Sequence, residues 1–376
     1  MSLTIYELPM GKATKTLAVA VTLLVITMAF FVATSDANAQ SSTSGSIGVG
    51  NLTAKVIASS GEVITGQFNA TGYSFGVYIG PGITNVLIYH AHIFGANDHG
   101  VIAVDTYGIS VMYSNISNNV QRPDKAIPEN QEVGFYGVSN SYIIGNTVTG
   151  SAGDGGISVR SSSSLVPSGL PIPNVNASGD NNFIAYNYVA NDSNGCGITV
   201  TAWGPGQSVA NNWVFRNVVI GDLLTSHGPT GFSVGTIVVA ADFPFSSAVD
   251  NVVLDNTVIG GLEDGIIVNA QAPGAADIGN EIAGNYVKLG AFQRLNNPPF
   301  ENASDLNFAP APNGIAIYAN YIPQTANPTP PIARGNIVVD NTIVDEAIGI
   351  WVANAYGGAY LDNSFENVST NFYCGN

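Results

Sequence analysis

Six acidic residues, Asp98, Asp154, Asp192, Asp264, Asp345 and Glu346, stand just ahead of recurring short apolar runs, and one basic residue, Arg160, follows closely behind Asp154. Two carboxylates flanking a sugar can hydrolyse a glycosidic bond, one as acid and the other as base or nucleophile. The same oxygens suit calcium, and Asp154, Asp192 or Asp264 gathered near Arg160 would favour a calcium-assisted lyase. The catalytic candidates are therefore Asp154, Arg160, Asp192 and Asp264. An Asp before Gly, as at 154–155 and 264–265, is also ordinary turn chemistry. His90, His92 and His99 would bind copper or zinc if their rings converged; His90 also suits a hydrogen-bonding corner. Nothing in the sequence brings an acid, a base and a positioning residue together.

The elements that must position these groups come from a repeat. Polar residues five apart form two columns. The first holds Asn85, Ser110, Ser141, Asn182, Asn212, Asn251, Asn280 and Asn336. The second holds His90, Asn115, Asn146, Asn187, Asn217, Asn256, Asn285 and Asn341. Two places after each first-column residue stands an apolar one. Two places after the second the rule fails only at His92 and Ser117. A third signal is a Gly-apolar-x-apolar run: GVYI at 76–79, GISV at 108–111 and 156–159, GITV at 197–200, GFSV at 231–234, GIIV at 265–268, GIAI at 314–317 and GIWV at 349–352. Alternation this short, rich in β-branched residues, reads as strand.

Each unit thus carries three short strands and three corners, and only stacking buries its apolar face. Equivalent strands then pair in parallel about 4.8 Å apart, and Asn146, Asn187, Asn217, Asn256, Asn285 and Asn341 come into register as a ladder of amides at a corner, where Asn also tolerates a left-handed turn. Asn-x-Ile-x-x-Asn-x-Val followed by Gly-Ile-x-Val resembles the right-handed parallel β-helix repeat of the pectin-lyase-like superfamily, closest to its periplasmic copper-binding and carbohydrate-associated repeat group. The resemblance covers about 70–375. It implies an all-β, single-stranded solenoid of about nine or ten turns, and substrate clefts over the Gly-Ile-x-Val sheet in the carbohydrate-active members. It does not select an activity, because the fold hosts many.

Length varies at two corners only, at about 118–133, 222–230 and 286–313 and at about 160–180 and 318–333. Both flank the Gly-Ile-x-Val strand, so that sheet is expected to floor a groove. Outward positions by period two include Ser158, Thr199, Thr201, Ser233, Asn269, Tyr318 and Trp351. Ser158, Thr199, Thr201, Asn269, Tyr318 and Trp351 suit a weakly charged glycan, since aromatic faces stack on sugar C–H surfaces; cover by neighbouring loops is the other reading of Tyr318 and Trp351.

The ends and the charge set the context. Residues 1–39 read as a signal peptide, with Lys12 and Lys15, an apolar stretch and Ala37-Asn38-Ala39 before the cut; an uncleaved anchor is the alternative. Residues 40–70 read as a flexible lead and N-terminal cap, and 71–376 as the helix. Net charge is −16, which disfavours nucleic acid. No later stretch is long and apolar enough to span a membrane. Cys196 and Cys374 would lie several layers apart, beyond the ~7 Å a disulfide allows, so two free thiols are expected. Sequons at Asn51, Asn69, Asn115, Asn176, Asn191, Asn302 and Asn367 predict glycosylation best at Asn176 and Asn302; Asn115, in the interior column, should stay bare. The chain reads as a secreted or cell-surface β-helix protein that binds, and as an enzyme would cleave or modify, a polysaccharide, with calcium a candidate cofactor. The alternatives are a non-catalytic adhesion or structural rod and a metal-delivery protein. The sequence leaves the oligomeric state open.

Overall fold

The computed structural model describes residues 43–120, 130–151, 153, 155–161, 177–190, 196–221, 235–260, 264–288, 313–319 and 329–375. Its strands wind into three sheets. Sheet A has 12 strands, sheet B 18 and sheet C 5. In sheet A only the first strand, Thr43–Ser46, runs antiparallel, pairing with Thr53–Ile57. Every later strand pairs in parallel with its equivalent one turn on, as Gly155–Arg160 does with Cys196–Ala202. Sheet B opens with two longer strands, Val63–Asn69 and Leu87–Phe94, and from Ser110 onward each turn gives it two three-residue strands around a corner, for example Phe183–Ala185 and Tyr188–Ala190. The inward residues form one continuous apolar core along the axis, including Ile157, Ile184, Val214, Ile237, Ile266 and Ile317.

Two amide ladders run along sheet B. In the second column each Asn donates its backbone N–H and its Nδ2 to Oδ1 of the Asn one turn on, at 2.9–3.0 Å, from Asn146 through Asn187, Asn217, Asn256, Asn285 and Asn341 to Asn363. A parallel column runs from Asn182 through Asn212, Asn251 and Asn280 to Asn336. The left-handed turn is made by the residue before each ladder Asn. Tyr186, Arg216, Asp255 and Asp340 have φ between 51° and 57°, so the corner divides its two tasks between neighbours.

The two N-terminal turns depart from the expected register by one residue. Leu87 pairs with Ser110 and Ser110 with Tyr142, which puts Val86 and Ile109, not Asn85 and Ser110, in the first column. Likewise His92 pairs with Asn115 and Asn115 with Thr147, so the second column holds Ala91 and Ser114 rather than His90 and Asn115. Ser114 feeds the ladder, its N–H donating to Asn146 Oδ1 at 2.9 Å. A one-residue shift exchanges the faces of a strand: Asn115 is exposed, so its sequon lies on the surface, not inside. Asn85 and His90 are the left-handed residues of these corners.

Sheet A differs in three further places. GISV at 108–111 belongs to sheet B through Ser110–Met112, and the sheet A strands of these turns are His99–Tyr107 and Gln131–Ser139. GFSV at 231–234 lies outside the described residues; the sheet A strand there is Gly235–Ala241. Thr53–Ile57 and Val63–Asn69 already pair in parallel within sheets A and B, so winding begins inside the segment expected to be lead and cap. The expected signal peptide, 1–39, lies outside the described residues. Among those described, no helix is long and apolar enough to cross a membrane.

The recurrent Gly of sheet A has a packing cause. A Cβ on Gly197 would lie 2.2 Å from Val219 Cγ1, and one on Gly314 would lie 2.5 Å from Ile343 Cγ2. The sheet B side chains occupy the space beneath the strand. Glu132 stands at this column in its own turn, next to Val133 as Gly197 is next to Ile198.

Candidate functional site

Register brings outward side chains of sheet A into rows along the axis. One row carries Gly134, Ser158, Thr199, Val238, Ile267, Ala316 and Trp351, and the adjacent one Tyr136, Arg160, Thr201, Ala240, Asn269, Tyr318 and Ala353. The rows are polar early and apolar late. Tyr318, Trp351, Ile267, Val238 and Ala316 form a second apolar cluster, with Tyr318 and Trp351 rings 4.9 Å apart and Asn269 Nδ2 donating to Tyr318 Oη at 3.1 Å.

The polar half is a hydrogen-bonded cell. Arg160 Nε donates to Ser158 Oγ at 2.7 Å, Thr199 Oγ1 donates to the same oxygen at 2.7 Å, and the guanidinium carbon lies 4.7 Å from the Trp203 ring centroid. One turn earlier Tyr136 Oη donates to Gln131 Oε1 at 2.6 Å and meets His99 Nε2 at 3.0 Å. With the phenol proton committed to Gln131, Nε2 is the protonated ring nitrogen. His99 Nδ1 is left buried with no hydrogen-bond partner, and a bare lone pair is the cheaper orphan there than an N–H. Burial holds the His99 pKa at about 3, opposed by the Gln131 bond and helped by the Arg160 charge. The imidazole is therefore neutral at physiological pH.

All six expected sugar-contacting residues are closed to solvent: Ser158, Thr199, Thr201, Asn269, Tyr318 and Trp351 are at most 6% exposed. The floor expected to be an open groove is covered, which corrects that expectation and favours the reading of Tyr318 and Trp351 as packed side chains. Asp154 and Asp192 lie outside the described residues. Asp264 has a structural task, since its Oδ1 accepts both the N–H and the Nδ2 of Asn313 at 2.8 Å. Arg160 is the one catalytic candidate that the described polar cell contains. The three histidines occupy separate settings. His90 is exposed against Tyr113, half-buried His92 contacts Phe94, and His99 is enclosed on sheet A. Among the described residues no three His, Cys, Asp or Glu side chains form a metal-binding group. Arg216 pairs with Asp255 at 3.3 Å and lies over Phe215. Cys196 and Cys374 are free thiols.

The cell includes Gln131, Tyr136 and Trp203, none of which the repeat pointed to. The only signal was GFYGV at 134–138, masked because Glu132 replaces the Gly that marks the other strands. Among the described residues, Glu132 and Asp277 carry fully buried carboxyls. Glu132 accepts from Asn119 N–H and Nδ2 at 2.9 and 2.6 Å, and burial pushes its pKa up to about 8 against those bonds. Burial, and secondarily the charge of Asp242, also raises the pKa of Asp277.

No protein-family model matches the chain, and no curated protein matches it in sequence. Solved structures do. A surface adhesin of Streptococcus pneumoniae, PfbA, is 9% identical, with a TM-score of 0.51 over 85% of this chain and 82% of its own. A mutant of the periplasmic alginate epimerase AlgG is 15% identical, with a TM-score of 0.48 over 84% of this chain and 63% of its own. An alginate lyase from Paenibacillus is 15% identical, with a TM-score of 0.37 over 84% and 78%. The fold shared with the adhesin is the right-handed parallel β-helix.

Proposed function

We infer that this is an extracytoplasmic β-helix protein that engages a polysaccharide along its axis by binding rather than turnover. The observation that carries the reading is the polar cell on sheet A. Later turns fill the same two rows with Val238, Ala240, Ile267 and Ala316, so the fold accepts apolar side chains there. A buried Arg and hydroxyls cost stability that those residues would not, which supports a ligand role for Arg160, Ser158, Thr199 and Thr201. Extracytoplasmic location rests on the leader-like sequence of residues 1–39.

Two observations favour binding over catalysis. A general base works best with a pKa near the operating pH, and His99 is held at about 3. Asp264 is occupied as an acceptor for Asn313. The test is a glycan array on the secreted chain, followed by lyase and hydrolase assays with and without calcium. Arg160→Gln and Ser158→Ala/Thr199→Val are expected to weaken binding, and hydrogen exchange in 155–160 should rise with glycan, because these side chains are enclosed without it. Turnover on any array ligand would overturn the binding-only reading. Absence of binding would overturn the function.

A further inference from the structure

Sheet B presents a second set of rows, and there the outer face is open. Tyr142, Phe183 and Trp213 pair in register on three consecutive turns. Each is half-buried, while its neighbour Ile143, Ile184 or Val214 points into the core. Beside this row, across the corner, Tyr113, Tyr186 and Tyr188 are 42%, 45% and 45% exposed. Ring contacts join the two: Phe183 lies 6.0 Å and Tyr186 5.5 Å from Phe215, centroid to centroid. The result is an exposed aromatic strip across several turns.

Its charge is unlike the rest of the chain. Net charge is −16, yet none of the sheet B strands from Leu87–Phe94 to Val218–Ile220 carries an Asp or Glu. Arg216 at the strip's edge is matched by Asp255. Carboxylates enter further along, with Asp255, Glu281, Asp340, Asp345 and Glu366. A contiguous exposed apolar surface of this kind marks a contact site, and its occupant must suit an uncharged strip.

We propose that the aromatic strip Tyr142–Phe183–Trp213, with Tyr186 and Tyr188, binds a neutral polysaccharide laid across the turns, parallel to the helix axis. Rings recur about every 4.8 Å along that axis, a spacing commensurate with one sugar unit of an extended chain. A ligand that repeats along its length matches a surface that repeats along its length. Ring faces take the sugar C–H surfaces, and the tyrosine hydroxyls and indole N–H supply hydrogen bonds at their margins. The absence of charge lets a neutral chain dock without stripping water from ions. This surface is separate from the enclosed cell on sheet A and does not depend on it.

The indoles make the test direct. Trp203 and Trp351 are buried and Trp213 is not, so acrylamide quenching of the native chain reports Trp213. Soluble β-glucan, xylan and mannan, and an alginate as the charged comparison, are titrated against the secreted chain. At least one neutral polymer should protect Trp213 from quencher, and alginate should not. Affinity should fall about two- to tenfold for each ring removed in Tyr142→Ala, Phe183→Ala and Trp213→Ala, the range of one aromatic contact. Trp213→Phe should restore most of it, which separates lost stacking from lost folding. Loss of this binding in Arg160→Gln, with affinity undiminished in the ring variants, would place the glycan on sheet A and overturn the proposal. Undiminished affinity in Phe183→Ala/Trp213→Ala overturns the proposal. So does a concentration-dependent dimer, in light scattering, that this double variant abolishes, because the strip would then be covered by a second copy.

Discussion

Asn217 gives the ladder its most stringent test. Its Oδ1 accepts the N–H and the Nδ2 of Asn187, at 3.0 and 2.9 Å, and its Nδ2 donates to Ile184 O and Asn256 Oδ1, at 2.9 and 3.0 Å. Asn217→Ala removes all four bonds. Asn187 loses the acceptor for its buried N–H, and Ile184 loses a donor to its carbonyl. At roughly 1–3 kcal/mol for each buried group left unsatisfied, the cost is about 2–6 kcal/mol. Asn217→Asp keeps the acceptor and loses both donors, so a carboxylate would face Ile184 O and Asn256 Oδ1. Its folded pKa rises above the unfolded value near 4, so its loss relative to the parent grows as pH climbs past that value, whereas the loss in Asn217→Ala relative to the parent is the same at every pH. Thr147→Ala, on the exposed outer side, should stay within about 0.5 kcal/mol of the parent. Urea denaturation by circular dichroism gives the total effect. Hydrogen exchange of peptides covering 183–190 gives the local one, which matters because a solenoid can open turn by turn. A loss below about 1 kcal/mol for Asn217→Ala, or equal pH profiles for Ala and Asp, would refute the ladder as a source of stability.

Three further outcomes follow from the same geometry. Glu132, with a folded pKa of about 8 against 4.5, keeps a proton that the unfolded chain releases, so stability falls as pH rises between these values, by about 3 kcal/mol at pH 7; urea midpoints from pH 4 to 8 should be flatter in Glu132→Gln than in the parent, and parallel profiles would contradict the assignment. Gly197→Ala, whose Cβ would sit 2.2 Å from Val219 Cγ1, should lose about 1–3 kcal/mol by overpacking, and Val219→Ala in the same chain should recover part of it, as read by thermal denaturation. A maleimide should label exposed Cys374 in the native protein and buried Cys196 only after denaturation; two rapid labels without denaturant would show that sheet A is open at Cys196.

The architecture was legible because it is written in positions that cannot vary freely. A ladder amide must donate twice and accept twice in one geometry, and few side chains other than Asn can do so. From Asn146 onward the columns therefore stand in plain sight. In the two turns before, Ala91 and Ser114 replace the amides, and adjacent residues offered a false match, His90 one place early and Asn115 one place late. The misfit was visible even so. His92 and Ser117 broke the apolar rule that their neighbours Ile93, one place on, and Ile116, one place back, satisfy. The pattern of inward apolar residues was the stronger constraint, because it answers to a continuous core, and the polar columns should have yielded to it.

The site was less legible, for a related reason. Alternation says which residues leave the core, not whether water reaches them. Ser158, Thr199 and Trp351 point outward and are buried; Phe183 and Trp213 also point outward and are open. Both sets satisfy the same period of two, and only the structure separates a covered face from a free one. The charge record held the better clue, since carboxylates are absent from the early strands of sheet B in a chain that has them in excess elsewhere. An acidic protein that spares one face while lining it with aromatic rings has forgone solubility there. That choice is hard to explain by folding, because Val252, Thr257 and Thr342 hold equivalent outward positions in later turns without a ring.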